Sequence, residues 1–111
     1  MTDTSEEILA FWFEQTPAVR RWKKDPAFDS LIRTRFATVH TSATCCELFA
    51  WRDSARGRLA EIILLDQFSR NMFRDSAQAF AHDPLALALA QEAVALGADQ
   101  QLDAEQRSFL Y

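Results

Sequence analysis

Apolar residues recur at helical spacing along most of the chain, and capping residues mark where the helices begin. Thr4 and Glu7 form a capping box that predicts a first helix, which reaches about Phe13 before Thr16 and Pro17 stop it. The apolar side of this helix carries Ile8, Phe11 and Trp12.

Asp25 and Pro26 predict the start of a second helix, because an Asp side chain caps free backbone N–H groups and Pro suits the first helical position. Arg35 projects along the middle of its apolar side. We therefore expect Cys46 to be a core thiol, with Cys45 off the stripe. The stripe consists of Phe28, Leu31, Ile32, Phe36, Val39, Ala43 and Cys46.

Two more helices are predicted in the middle of the chain. Ser54 caps a third helix over about 55–70, and a short helical turn over 76–81 leads to a fourth. The fourth begins at the Asp-Pro pair 83–84 and ends at Gly97, a natural helix stop. Its apolar residues occupy two opposite sides, which predicts a helix packed closely between neighbours. These residues are Leu85, Ala88, Leu89 and Leu96 on one side and Leu87, Ala90 and Val94 on the other.

Asp103 and Gln106 predict a fifth helix that is cut short at the apolar end Phe109, Leu110 and Tyr111. Chain ends are normally polar and frayed, so this end needs an explanation. Either a partner chain covers it, or the sequence is the front part of a longer domain, and we expect the second. Self-association through these last three residues is a further possibility.

No segment alternates apolar and polar residues in the way a half-buried strand does. The 2 Gly and 3 Pro among 111 residues leave little material for tight turns between strands. The prediction is an all-α fold of about five helices in antiparallel pairs, forming a single domain over residues 1–111.

Composition and charge narrow the classes of function. The net charge is −4, and the sequence shows no basic stripe that could bind nucleic acid. No apolar run is long enough to span a membrane. The polar, acidic start is not a secretory signal, and 2 adjacent cysteines are not a disulfide framework, so we expect a cytoplasmic protein. His40 and His82 have no metal-ligand spacing, and we predict neither a metal nor another cofactor. The basic run at 20–24 is either an anion patch or a solvated linker.

The segment LLDQFSRNMFR at 64–74 places charged side chains in the most apolar helix of the chain. On a regular helical wheel, Asp66 and Arg70 fall in the middle of one apolar face, in the i,i+4 order that favours an ion pair. Gln67, Asn71 and Arg74 line the adjacent flank. Buried charges are costly unless they are paired, so this cluster is the candidate site.

Two interpretations of the cluster stay open. In the first it is a structural network, in which Asp66 accepts hydrogen bonds from Arg70, from Arg35 or from backbone N–H groups. In the second it is the floor of a pocket, where Arg70 and Arg74 meet an anionic group that Asp66 and the two amides orient. A general acid or base needs a second group, and none is identifiable, so no catalytic residue is assigned.

LAEIILLDQFSRNMFR, with AFAHDPLALALAQEAVALG after it, is similar to the bacterial family called domain of unknown function 924. ILAFWF, RRWKKDPAFDSLIRTRF and DAEQRSFLY match it as well. The resemblance implies a TPR-like array of helix pairs, with no established activity. It also implies that family members continue beyond this sequence with a second element, Phe-Pro-His-Arg-Asn. Ser69 departs from the family, which has Pro there, and Ser allows the helix to continue.

Two functions follow as hypotheses. The first is a binding or scaffold module for a peptide or a partner protein, because helix-pair arrays present surfaces for such ligands. The alternative is a small-anion-binding protein or enzyme that uses Asp66, Arg70, Asn71 and Arg74.

Overall fold

The computed structural model describes residues 5–21 and 25–110, and all regular structure in these ranges is helical. The predicted all-α class is therefore confirmed. Thr4, the predicted cap of the first helix, lies outside the described residues. The seven α-helices in the described ranges are α1 (Ser5–Leu9), α2 (Ala18–Arg21), α3 (Pro26–Thr44), α4 (Ala55–Ile63), α5 (Ser69–Met72), α6 (Asp83–Ala95) and α7 (Ala104–Leu110).

Shorter helical forms join these α-helices. Two π-helical stretches, Ala10–Gln15 and Leu64–Phe68, continue α1 and α4, and 3-10 turns occupy Phe49–Asp53, Ala77–Phe80 and Ala98–Gln101. Because α4, its π-helical continuation and α5 follow one another without a break, residues 55–72 form one rod, which we call the central helix. It packs against α1, α3, α6 and α7.

The predicted caps at Asp25, Ser54 and Asp103 are present, whereas at α6 the N-cap position is His82 and Asp83 does not cap the helix. Asp25 accepts a hydrogen bond from the backbone N–H of Phe28 at 3.2 Å, and Ser54 caps α4 in the same way. At α7 the capping box is reciprocal: Gln106 N–H donates to Asp103 at 2.8 Å, and Asp103 N–H donates to Gln106 at 3.1 Å. Each cap satisfies backbone groups that a helix end leaves unpaired.

The core is centred on an aromatic cluster between the π-helical continuation of α1, helix α3 and the central helix. Phe68 is fully buried, and its ring centroid lies 5.2 Å from that of Phe36, 5.7 Å from Trp12 and 5.9 Å from Phe11. Phe11 also stacks on Phe28 at 5.8 Å. Aromatic pairs at these distances add to the stabilisation from burial. They fix the position of the central helix, which carries the candidate site.

The prediction for Cys46 is wrong. Helix α3 ends at Thr44, and Cys46 is exposed in the turn that follows, with a φ of 58°. Because the helical wheel stops applying where the helix stops, the buried stripe ends at Ala43.

Candidate functional site

The predicted ion pair between Asp66 and Arg70 is present, but both side chains are half-buried rather than enclosed. Arg70 Nε donates to Asp66 Oδ1 at 2.9 Å, and Arg70 Nη2 donates to Asp83 Oδ2 at 3.3 Å. Gln67 Nε2 donates to the other oxygen of Asp66 at 3.0 Å. The exposed fractions of the side chains are 25% for Asp66, 43% for Arg70 and 38% for Asp83.

The π-helical stretch explains why the wheel placed Asp66 too deep in the protein. Leu64–Phe68 closes π-type hydrogen bonds, so each turn holds more residues than in an α-helix. Side chains in this stretch are therefore rotated away from their positions on a regular wheel. Leu64, Leu65 and Phe68 keep the buried positions, while Asp66 reaches partly into solvent.

Asn71 and Arg74 belong to a second cluster, which is centred on Asp29 of α3. Asn71 Nδ2 donates to Asp29 Oδ1 at 2.8 Å, and Arg74 donates from Nε at 2.6 Å and from Nη2 at 3.1 Å. Burial raises the pKa of the Asp29 carboxyl, but the hydrogen bonds from Arg74 and Asn71 outweigh it and hold that pKa below the ordinary 3.8. The charged form of this buried carboxylate is thus fully paired.

Arg35 does not join either cluster. Its guanidinium lies 4.9 Å from the centroid of the Phe36 ring and 5.4 Å from that of Phe11, and it donates to Gln15 at 3.4 Å. A different arginine of α3 reaches the central helix. Arg33 donates from Nη2 to the carbonyl oxygen of Met72 at 2.7 Å, which satisfies a carbonyl at the end of α5.

Asp29 and Asp83 were not among the predicted site residues, although the sequence carries a signal for Asp29. Asp29 precedes Ile32 and Phe36 by three and seven residues, so it shares their buried face on α3. A carboxylate on such a face needs a cationic partner, and Arg74 is that partner. The sequence marks Asp83 only as a helix start, and its pairing with Arg70 depends on the fold.

Ser69 is hydrogen-bonded to His40 of α3, where α3 packs against the central helix. His40 Nε2 lies 2.7 Å from Ser69 Oγ, and both residues are buried. Burial lowers the pKa of His40, and the nearby His82 lowers it further. The helix continues through Ser69 to Met72, as predicted from the absence of proline.

Arg70 and Arg74 line one hollow of about 520 Å³ beside the exposed ring of Phe80. Each guanidinium, however, is already paired with a carboxylate of the chain. An incoming anion would have to compete with Asp66, Asp83 or Asp29 for these donors. The predicted signature is thus arranged as two ion-pair networks, and its use as an anion site or an active site stays a prediction.

A largely apolar groove lies between the central helix, α6 and α7. It consists of a 480 Å³ hollow and a 400 Å³ hollow that share Leu87, Ala90 and Leu110. Its acidic end is formed by Asp66 and Asp83. We call this feature the α6–α7 groove, and its apolar lining includes Ile62, Leu87, Ala90, Val94, Phe109 and Leu110.

The groove exists because α6 buries only a narrow face, which carries Ala86, Leu89 and Ala93 and differs from both predicted sides. Leu96 of the first predicted side is 64% exposed, and on the second side Leu87 is 59% exposed and Val94 is 44% exposed. The expectation that α6 packs between neighbours on both sides is therefore wrong within the described structure. The second side of α6 is apolar and open.

Two other classes of site are absent from the described residues. In 5–21 and 25–110, no group of three or more His, Cys, Asp or Glu residues could hold a metal ion. No helix in the same ranges is long and apolar enough to cross a membrane.

Fold and site together define an all-α protein that has a paired polar signature on its central helix and an open apolar groove beside it. The chain belongs to the family described as bacterial proteins of unknown function, DUF924, whose sequence profile matches residues 8–111. The family resemblance seen in the sequence is thereby confirmed.

One solved structure shares this fold over nearly the whole chain. It is a protein of unknown function from Agrobacterium tumefaciens, 40% identical to this chain, with a TM-score of 0.91. The match covers 96% of this chain and 60% of the Agrobacterium chain. No curated protein matches the sequence.

Proposed function

We propose that this protein is a cytoplasmic binding module of the TPR-like type, and that it receives an amphipathic helix of a partner protein in the α6–α7 groove. The observation that carries this proposal is the exposed apolar side of α6, where Leu87 and Val94 face solvent next to Leu110. Single exposed apolar residues are ordinary, but a contiguous exposed apolar surface marks an interaction site.

The spacing along α6 suits a helical ligand. Leu87, Ala90 and Val94 follow one another at i, i+3 and i+7, which places them in a row along one side of the helix. Rows of this kind accept the side chains of a second helix between them, and amphipathic helices bind apolar grooves in this way. Burying this surface would contribute about 25 cal/mol for each Å² of apolar area removed from water.

Charge also supports a protein ligand over a small anion. Arg70 and Arg74, the two cations of the signature, are paired with carboxylates of the chain itself. The acidic end of the groove repels anions, while it can attract a basic residue of a partner helix. The exposed free thiols of Cys45 and Cys46 support a reducing compartment such as the cytoplasm.

A displayed library of helical peptides, selected on the whole chain, tests this proposal. We expect the selected peptides to carry apolar residues at i, i+3 or i+4, and i+7. Substitution Leu87→Glu should weaken their binding by at least about tenfold, because it places a charge in the apolar contact.

The matched control is Val19→Glu, which changes another exposed apolar residue, on α2, that does not line the groove. It should leave the affinities unchanged. Peptides that bind wild type and Leu87→Glu equally well, or a selection without the helical pattern, would contradict the proposal.

A further inference from the structure

We propose that the part of the Agrobacterium protein outside its match to this chain contains a helical segment, and that a segment of this kind occupies the α6–α7 groove. We further propose that a Lys or Arg of this segment lies at the acidic end of the groove, against Asp66 and Asp83. This inference rests on the function proposed above and names the partner of the same site.

The first argument is the extent of the structural match. With 40% identity and a TM-score of 0.91 over 96% of this chain, the two proteins share the backbone that forms the groove. About two-fifths of the Agrobacterium chain lies outside this shared part. A helix in that additional chain would need an apolar surface on which to pack, because helices are stabilised mainly by burial of an apolar side.

The second argument is that the groove offers such a surface and has a wall in α7. Phe109 and Leu110 of α7 form one side of the groove, and Leu87 and Ala90 of α6 form the other. The two side chains of α7 are themselves nearly buried, so the wall is fixed in place, while Leu87 remains open. A helix laid along α6 would contact both walls and close the exposed side of Leu87.

The third argument is the charge at the end of the groove. Among the described residues Asp66 and Asp83 share a single cation, Arg70, so this end carries one negative charge in excess. A basic residue of the occupant would balance the excess charge, and it would fix which end of the occupant's helix lies over α6.

The probe for the test is the part of the Agrobacterium protein outside the match, produced as a separate polypeptide. Titration into the 111-residue chain, followed by calorimetry, should show one-to-one binding. Leu87→Glu should weaken this binding by at least about tenfold, and Val19→Glu should leave it unchanged. Light scattering measures whether the chain alone is a monomer or a homodimer, and whether it forms a one-to-one complex with the probe.

The acidic end is tested by double-mutant cycles. Each cycle combines Asp83→Asn in the chain with the replacement of one Lys or Arg of the probe by Gln. One of these basic residues should be coupled to Asp83 by about fivefold in Kd or more, and the coupling should shrink as salt is added. Glu92→Gln is the control, because Glu92 is an acid of the same helix whose partner is Arg58 at 2.6 Å. Melting temperatures of all variants show whether they are folded.

The outcomes separate the two proposals. If the probe does not bind but library peptides still bind in a way that Leu87→Glu abolishes, the groove functions as proposed and the identity of its occupant is wrong. A homodimer of the chain that Leu87→Glu dissociates also overturns this inference. Probe binding that is insensitive to Leu87→Glu overturns the placement in the groove, and the absence of any coupling to Asp83 overturns the role of the acidic end.

Discussion

Two regions of the molecule differ in how far the chain itself provides partners for their side chains. One is the contact between α3 and the central helix, which we call the α3 junction, and the other is the α6–α7 groove. At the junction, polar groups of α3 and the central helix are buried and paired, as Asp29 is with Asn71 and Arg74. In the groove, apolar groups such as Leu87 remain in solvent. The type of a residue therefore does not by itself indicate the surface that we propose for binding. The indication is whether the chain buries its apolar side chains and pairs its polar ones.

The junction shows how buried charge is made tolerable. Removing a carboxylate from water is costly, and the cost is offset only where the remaining lone pairs receive hydrogen bonds. Asp29 receives three such bonds, two from Arg74 and one from Asn71. Arg33 on Met72 and His40 on Ser69 tie α3 to the central helix at further points. Asn71 and Arg74 of the signature thus join the central helix and the segment after it to α3.

The largest effect should come from a core residue of the signature. Phe68→Ala removes a fully buried ring that contacts three other aromatic rings, and it should lower the free energy of unfolding by about 3–5 kcal/mol. Urea denaturation measures this loss. The matched change on the exposed side, Phe80→Ala, should cost less than about 1 kcal/mol, because Phe80 is more than half exposed. Similar losses for the two variants would contradict the contrast.

A smaller loss is expected when the acid of the junction is removed. Asp29→Ala leaves Asn71 and Arg74 without their acceptor, and it should lower the free energy of unfolding by about 2–3 kcal/mol. The figure is below the range for fully buried pairs, because Arg74 keeps partial access to water. Asp83→Ala, which removes a half-exposed acid at the groove, should cost under about 1 kcal/mol. Equal losses for Asp29→Ala and Asp83→Ala would mean that the two carboxylates contribute equally to stability, which would contradict the contrast.

These variants also separate what the sequence predicts from what only the fold reveals. Local signals were sufficient for the helix boundaries: Asp25, Ser54 and the Asp103–Gln106 box act through backbone groups a few residues away. The ion pair of Asp66 and Arg70 is local as well, since one helical turn joins them. Such features depend on short-range geometry, so they can be predicted from one sequence.

Features that depend on distant contacts could not be predicted in the same way. The sequence gives no sign that Asn71 and Arg74 turn toward Asp29, more than forty residues earlier, while Arg70 turns toward Asp83. The π-helical stretch also rotates Asp66 away from the face that a regular wheel assigns to it. The two apolar sides of α6 look equivalent in the sequence, and only tertiary packing decides that Leu89 is buried and Leu87 is not.

The junction should also make the stability of the protein depend on pH. Burial beside His82 lowers the pKa of His40 from the ordinary 6.5, so the folded chain binds fewer protons than the unfolded chain. Stability from this group is therefore complete above about pH 6.5, and it falls as the pH drops toward the lowered pKa, by at most about 1.4 kcal/mol per pH unit.

Urea denaturation at several values between pH 7.5 and 5 measures this dependence. In His40→Gln the part of the slope that His40 contributes should disappear, since glutamine does not titrate. A slope that is the same in wild type and His40→Gln would show that His40 is not the responsible group.

The smallest effect is expected at Leu87, and its comparison with Leu89 of the same helix is the sharpest test of the contrast. Leu89→Ala removes a nearly buried side chain and should cost about 2–4 kcal/mol, whereas Leu87→Ala should change the free energy of unfolding by no more than about 0.5 kcal/mol. Both positions carry a leucine on the same helix, so the difference between the two losses in the free energy of unfolding reports only which side of α6 the protein buries. An equal cost at the two positions would mean that the side carrying Leu87 is buried within the folded chain, and the α6–α7 groove would then not be open to a partner. With a helical partner bound, by contrast, Leu87→Ala should become costly, because the stabilisation that the partner provides depends on burying that side chain.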